Sequence, residues 1–363
     1  MADGISGLGG GGGLDGRGGI SDIDGPDGPS DSDKDQPVLT VIGEALIDLV
    51  PAGEPGGYRA RPGGSPLNVA IGLARLGHRT ALMARLADNA FGRLLREHAA
   101  SEGIDLTCAP WATEPTTLAI VSLDSDAQAS YDFYLDGTAD WQWTDAQTAA
   151  LPEDTTILHH GSLASWTPPG DERIHALASE LHRHGSVLIS YDPNIRPALL
   201  GKPSHARPLI ERNVGVSHIV KASRDDIDWL YPGHGPEHVG AAWIDLGAQL
   251  VIVTDGPRGA HVFRSAAAPA HRPGRAVQVA DTVGAGDAFT AGLLGALVRN
   301  GVQTPDQLRQ ATPQLLDNAV DDAILVSALT CERVGADPPM ALPRPHTPPS
   351  TPLSAADLGF RDV

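Results

Sequence analysis

Short apolar runs at residues 38–42, 79–86, 156–160, 186–191, 217–222 and 250–254 recur along this chain, with helix-patterned segments between them. Residues 67–76 carry apolar side chains at helical spacing and stop at Gly77, a natural C-terminal cap, and a second helical pattern runs from 91 to about 101. Strands separated by helices cannot close as hairpins. They pair in parallel through crossovers that lay the helices on the sheet. The alternation therefore predicts a three-layer α/β/α fold with a mostly parallel central sheet.

One region breaks the rhythm. Residues 116–123 and 129–135 are alternating runs joined through Asp124-Ser125-Asp126 with no helix between them, the pattern of an antiparallel hairpin. With the segment near Tyr58-Arg59-Ala60 they make a small β-sheet lid, built from about 50–62 and 115–137. A flap of this kind would keep water from an open α/β site, whereas a plain surface hairpin would have no such part to play.

Both ends differ from the middle. Residues 1–36 are Gly- and Asp-rich, with the run Gly9-Gly10-Gly11-Gly12-Gly13, and bury too little apolar surface to offset their ordering entropy. Residues 341–363 read as a Pro- and Ser-rich tail. What remains, 37–340, is long enough for one large α/β domain with an appendage. A net charge of −19 disfavours nucleic acid and anionic membranes as partners. No apolar run is long enough to span a bilayer, and two lone cysteines, Cys108 and Cys331, fit a reducing compartment; the expectation is a cytoplasmic protein. His159-His160 and His182-x-His184 lack carboxylate or Cys partners at ligand spacing and predict no metal centre.

The chemistry concentrates at strand ends, where open parallel sheets bind ligands. Asp48 follows the first apolar run, and Gly63-Gly64-Ser65 opens the helix that carries Asn68. Asp192-Pro193-Asn194-Ile195-Arg196, Lys221-Ala222-Ser223-Arg224-Asp225-Asp226 and Thr254-Asp255-Gly256 each follow a strand. Asp281-Thr282-Val283-Gly284-Ala285-Gly286-Asp287 follows the alternating stretch 276–280, which reads as a strand, and leads into a helix. Free amides at a helix start bind anions, and Gly284 and Gly286 let an anion approach the backbone. A carboxylate there, Asp287, would take a proton from a hydroxyl while the amides hold developing charge, which points to phosphoryl transfer. Helix capping by Asp287 is the plain rival. A dinucleotide fingerprint fails because Phe289 stands where a third glycine belongs.

These residues resemble the ribokinase-like (PfkB) carbohydrate kinase family, and within it the fructokinases. One family signature matches Arg61-Pro62-Gly63-Gly64-Ser65-Pro66-Leu67-Asn68-Val69-Ala70-Ile71-Gly72-Leu73-Ala74-Arg75-Leu76-Gly77, and a second matches residues 281–287 with their helix. The resemblance spans about 38–340. It implies Asp287 as catalytic base, with the amides of Gly284, Ala285 and Gly286 as anion hole. It implies Asp48, Gly63, Gly64, Asn68 and Arg196 on the sugar, and Asn194, Lys221, Ser223, Thr254, Gly256, Gly259 and Asn318 on the nucleotide. Asp226, where many relatives carry Glu, would order Mg²⁺ through water, and Ser223 stands where many carry Asn. Asp281 would border a monovalent cation such as K⁺. The implied partners are a small sugar and ATP; the oligomeric state stays open, with the outer face of the lid sheet as the place where two copies could pair as a homodimer.

The expected reaction is ATP-dependent phosphorylation of a primary hydroxyl, D-fructose to fructose 6-phosphate. The alternatives are 2-keto-3-deoxygluconate, with Arg59 or Arg61 meeting its carboxylate, or a ribose or nucleoside acceptor stacking on Tyr131, Phe133 or Tyr134. A non-catalytic sugar-sensing protein on the same fold is the more distant one.

Overall fold

The computed structural model describes residues 36–341 apart from 54–55, 124–128 and 266. The tails expected at the two ends, short of residues 36 and 341, and the Asp124-Ser125-Asp126 turn lie outside the described residues. β1 (Val38–Ile42) is buried at every position. A strand covered on both faces reads as a continuous apolar run rather than an alternating one. β2 (Leu46–Pro51) and β3 (Tyr58–Gly63) leave the main sheet, and α1 (Ser65–Arg75) returns to it with Pro66 in its first turn. β4 (Thr80–Met83), β5 (Leu86–Ala87), α2 (Ala90–Ser101) and β6 (Trp111–Ala112) follow. Asn89 caps α2 by accepting from the Gly92 N–H.

β7 (Leu118–Leu123) and β8 (Ala129–Tyr134) form the expected hairpin, and α3 (Asp145–Thr148) leads back to the sheet. The alternation then runs through β9 (Thr155–Gly161), α4 (Gly170–His184), β10 (Leu188–Asp192), α5 (Pro197–Leu200), α6 (Pro203–Val214), β11 (Ile219–Ser223), α7 (Arg224–Leu230), α8 (Pro236–Asp245) and β12 (Leu250–Thr254). β13 (Ala260–Arg264) and β14 (Ala270–Arg272) precede α9 (Ala285–Arg299), α10 (Pro305–Gln310) and α11 (Pro313–Cys331).

The main sheet has the order β14-β13-β12-β11-β10-β9-β1-β4 and is parallel from β12 to β4, with β13 and β14 added antiparallel. Successive strand side chains face opposite ways. Leu39, Val41, Ile157, Leu188, Ile219 and Leu250 meet α1, α2 and α9–α11 on one face. Ile42, Leu158, Tyr191, Val220 and Val251 meet α4 and α6–α8 on the other. That is the three-layer fold. After β1 the chain crosses to β4 on one side and later to β9 on the other, so the crevice between the ends of β1 and β9 is the switch point where such sheets take ligands.

The small sheet has the order β3-β2-β7-β8, with β2 antiparallel to β3 and parallel to β7. One buried carboxylate ties its roots to the main body. Asp140 Oδ1 accepts from the Ala45 N–H at 2.9 Å, just before β2, and Oδ2 accepts from Thr117 Oγ1, just before β7. Thr117 in turn shares a hydrogen bond of 2.6 Å with Thr138, which follows β8. Burial pushes the Asp140 carboxyl up to about 6, against the donors that hold it. Its neighbour Glu44, fully buried at the end of β1, is raised to about 7 by the same cause.

Two expectations are corrected. The run 79–86 is two strands, β4 and β5, because Arg85 turns inward between them and donates to the Gln142 carbonyl and the Glu114 carboxylate. The alternating stretch 276–280 forms no strand. Its residues are exposed apart from half-buried Val277, so no apolar face is available to bury. The Ala280 and Asp281 N–H groups donate to the Cys331 carbonyl instead, at 2.8 and 3.2 Å.

Candidate active site

The first turn of α9 sets the geometry. Gly284 caps the helix with φ of 75°, in the left-handed region, and a Cβ there would fall 2.5 Å from that of Ala336. The N–H groups of Gly284, Gly286 and Asp287 have no partner among the described residues, while Ala285 already donates to the Thr282 carbonyl at 3.3 Å. The unpaired amides thus centre on the two glycines and Asp287, as the start of a helix requires.

α1 packs closely on α9, since a Cβ on Gly72 would lie 2.7 Å from that of Ala291. This approach brings two α1 side chains to Asp287. Ser65 Oγ donates to Asp287 Oδ1 at 2.6 Å, and Asn68 Nδ2 donates to Oδ2 at 2.8 Å. Asp287 is buried, and desolvation raises its carboxyl above the usual range, opposed by Ser65, Asn68 and the charge of Lys221. A raised carboxylate is a better proton acceptor.

Lys221 and Asp192 form a buried ion pair at 2.8 Å. Burial alone would lower the ammonium, but the Asp192 charge and hydrogen bond, with Asp226 and Asp287, outweigh it and hold Lys221 charged. A Cβ on Gly286 would stand 2.9 Å from Lys221 Nζ, so the glycine leaves room for the cation beside the unpaired amides. Asp192 also accepts from the Asn194 N–H at 3.0 Å, holding Asn194 at φ of 39°. Arg196 Nη1 folds onto this loop and donates to Asn194 Oδ1 at 2.6 Å and to the Ile195 carbonyl.

Asp48 lies across the crevice on β2. No protein donor reaches its carboxylate among the described residues, and burial raises it to about 6 against the charge of Arg196. Gly63 leaves room for this carboxylate, since a Cβ there would sit 2.2 Å from Asp48 Oδ2 and displace it. Gly64, at φ of 106°, passes the Glu44 carbonyl, which a Cβ would approach to 2.7 Å. The β2–β7–β8 register aligns Asp48, Ala119 and Phe133, putting Phe133 on Asp48's face of the small sheet.

Other predicted positions serve local structure. Asp226 Oδ1 accepts from the Ile195 N–H at 2.8 Å, and Oδ2 accepts from the backbone and hydroxyl of Ser223 at 2.8 and 2.7 Å. Ser223 caps α7 in return. The pair welds the loops after β10 and β11. Thr254 donates to the Ala222 carbonyl at 3.3 Å. Gly256 and Gly259 take positive φ, and a Cβ on Gly259 would collide with the Arg272 carbonyl at 2.0 Å. Asp281 accepts from the N–H groups of Val283 and Gly335 at 3.1 and 2.8 Å. Asn318, on α11, accepts from Gln314 of its own helix at 2.7 Å. Among the described residues no group of three or more His, Cys, Asp or Glu can hold a metal ion.

Two contacts at this site have no counterpart in the sequence pattern, Ser65 on Asp287 and Asp192 on Lys221. The serine stands 222 positions from its partner, and no local pattern signals the bond.

A family model described as pfkB family carbohydrate kinase matches residues 37–342. Fructokinase from Rhizobium leguminosarum bv. trifolii is 37% identical over 287 residues, covering 77% of this chain and 85% of that protein. A fructokinase double mutant from Vibrio cholerae O395, solved with fructose, ADP and potassium ion bound, superposes with a TM-score of 0.73 at 28% identity, over 83% of this chain and 94% of that one. Fructokinase from Xylella fastidiosa with bound ATP gives 0.74 at 27% identity, over 82% and 93%.

Proposed function

This chain belongs to the pfkB family of carbohydrate kinases, and from that premise we propose that it transfers the γ-phosphate of ATP to the primary hydroxyl of D-fructose, giving fructose 6-phosphate and ADP. The observation that carries this reading is the Asp287 carboxylate, buried at the start of α9 between unpaired amides and two donors from α1. Asp287 takes the hydroxyl proton, the freed oxygen bonds to the γ-phosphorus, and the bond to the bridging oxygen of ADP breaks. The amides of Gly284, Gly286 and Asp287 and the Lys221 ammonium are placed to hold charge on the transferred group. Asp48, with an unclaimed carboxylate, accepts from sugar hydroxyls.

Mg²⁺, when bound, neutralises phosphate charge. The described residues make no metal centre of their own, so in this reading it enters with the nucleotide, and Asp226, already holding three donors, acts on it only through water. The Asp281 loop is the place for a monovalent cation, in keeping with the potassium of the Vibrio structure. Thr254, Gly256, Gly259 and Asn318 are assigned to the nucleotide side. Exposed Tyr58 and Tyr134, on the face of the small sheet away from Asp48, support pairing of two copies through the lid. We place the reaction in the cytoplasm; no helix among the described residues is long and apolar enough to cross a membrane.

One observation favours a second acceptor class. Arg61 is exposed with no partner among the described residues, and its Nη1 lies 3.9 Å from a Cβ placed on Gly335, where it would meet the carboxylate of a keto acid. Turnover of D-fructose, 2-keto-3-deoxygluconate, ribose and a nucleoside with ATP separates the readings. The largest kcat/KM is expected for fructose, and a larger value for the keto acid would overturn the assignment.

Asp48 makes the fructose KM pH-dependent. Burial pushes its carboxyl up to about 6, and protonation turns one of its two acceptor oxygens into a donor, which a sugar hydroxyl donating there would oppose. The KM should be flat above pH 6 and climb toward about tenfold per pH unit below it. Steady-state kinetics from pH 5 to 8 check this. Asp48→Asn should raise KM and remove the slope, and an Asn variant that keeps the slope would contradict the assignment.

A further inference from the structure

We infer that Ser65 is a positioning residue for the base, a role that rests on the reading of Asp287 given above. Ser65 is the first residue of α1, and its side chain is buried. A serine there would ordinarily serve its own helix, but α1 has no side-chain cap, and the Ser65 hydroxyl goes instead to Asp287 Oδ1 at 2.6 Å. That distance is typical of a hydroxyl donating to an ionised carboxylate. Asn68, three positions later on the same helix face, takes the other oxygen. The two donors hold the carboxylate at both oxygens, so its plane is fixed by α1 rather than by its own helix.

The two donors differ in kind. The Asn68 amide has a second N–H and a carbonyl to offer a sugar. Ser65 has one proton, and its place is on Asp287. A hydrogen bond given to the ionised form favours that form, so Ser65 opposes the desolvation that raises the carboxyl. Removing the hydroxyl leaves the fold's packing almost unchanged but frees one oxygen of the base and makes it harder to ionise. Both changes act on the chemical step and leave sugar recognition by Asp48 alone.

The test compares Ser65→Ala, Ser65→Thr, Asp287→Asn and the Ala/Asn double variant, using ATP and fructose. Ser65→Ala should lower kcat roughly tenfold with KM within about twofold, and move the acid limb of the kcat–pH profile upward by about one unit. Ser65→Thr, which keeps the hydroxyl, should restore most of the rate. In the Asp287→Asn background, Ser65→Ala should cost nothing more, since its target is gone. If Ser65→Ala does not fold, Ser65→Cys, a weaker donor of similar size, carries the same comparison. An unshifted acid limb with kcat within twofold, or losses that add in the double variant, would overturn the role of Ser65. An active Asp287→Asn enzyme would instead overturn the reading of the base, so the two failures are distinguishable.

Discussion

Asp287→Asn should lower kcat by at least about a hundredfold while leaving the fold in place. The substitution keeps the shape of the side chain but removes the buried carboxylate at the start of α9 that takes the proton in this reading. Nucleotide binding should survive, because the unpaired N–H groups there belong to the backbone. Stability should survive as well, by a sign argument. The folded carboxyl is raised above its unfolded value, so above that value ionisation weighs against the folded state. A neutral amide removes this cost near pH 7, and its thermal midpoint should equal or exceed that of the wild type. A coupled assay for ADP and a melting curve read both quantities. More than about a tenth of wild-type activity would contradict Asp287 as base.

Lys221→Met should damage both folding and rate. The ammonium is the partner of Asp192, a carboxylate with only 2% of its side chain exposed. Breaking a buried pair leaves a charge without a counterion, at a cost of about 3–5 kcal/mol. The same ammonium stands beside Gly286, and loss of one such stabilising group costs about a hundredfold or more in kcat. The double variant Lys221→Met with Asp192→Asn separates the effects. It removes the orphaned charge, so stability should largely return, but the cation is still missing and activity should not. Chemical denaturation and fructose kinetics on both variants check this. If the double variant regained activity, Lys221 would matter only as a partner for Asp192.

The layered fold was legible because both-face burial leaves its mark on single strands. Val38–Ile42 and Leu250–Thr254 read as strands from composition alone. The stretch 276–280 shows the limit, since alternation over so few residues says nothing about whether a neighbouring strand exists to pair with. The helix start at Asp287 and its glycines were legible as a local pattern. What was not legible is how polar groups divide their bonds. Asp226 and Ser223 look like free ligands in sequence, yet they hold each other and the Ile195 amide. Ser65 looks like a helix-start residue, yet it serves a carboxylate on another helix. Such choices depend on which helices come together, here through the contact of Gly72 with Ala291. Asn318 was assigned by resemblance alone, and among the described residues its side chain bonds to Gln314 of its own helix.

The most direct test of the account is to follow ATP and fructose labelled with ¹³C at carbon 6 by ¹³C and ³¹P NMR, with the wild type and Asp287→Asn side by side. The wild type should give a carbon-6 signal coupled to phosphorus, with ADP formed in equal amount, and the variant should give neither. A phosphate ester at another carbon, release of inorganic phosphate without an ester, or the same product from the variant at a comparable rate would contradict it.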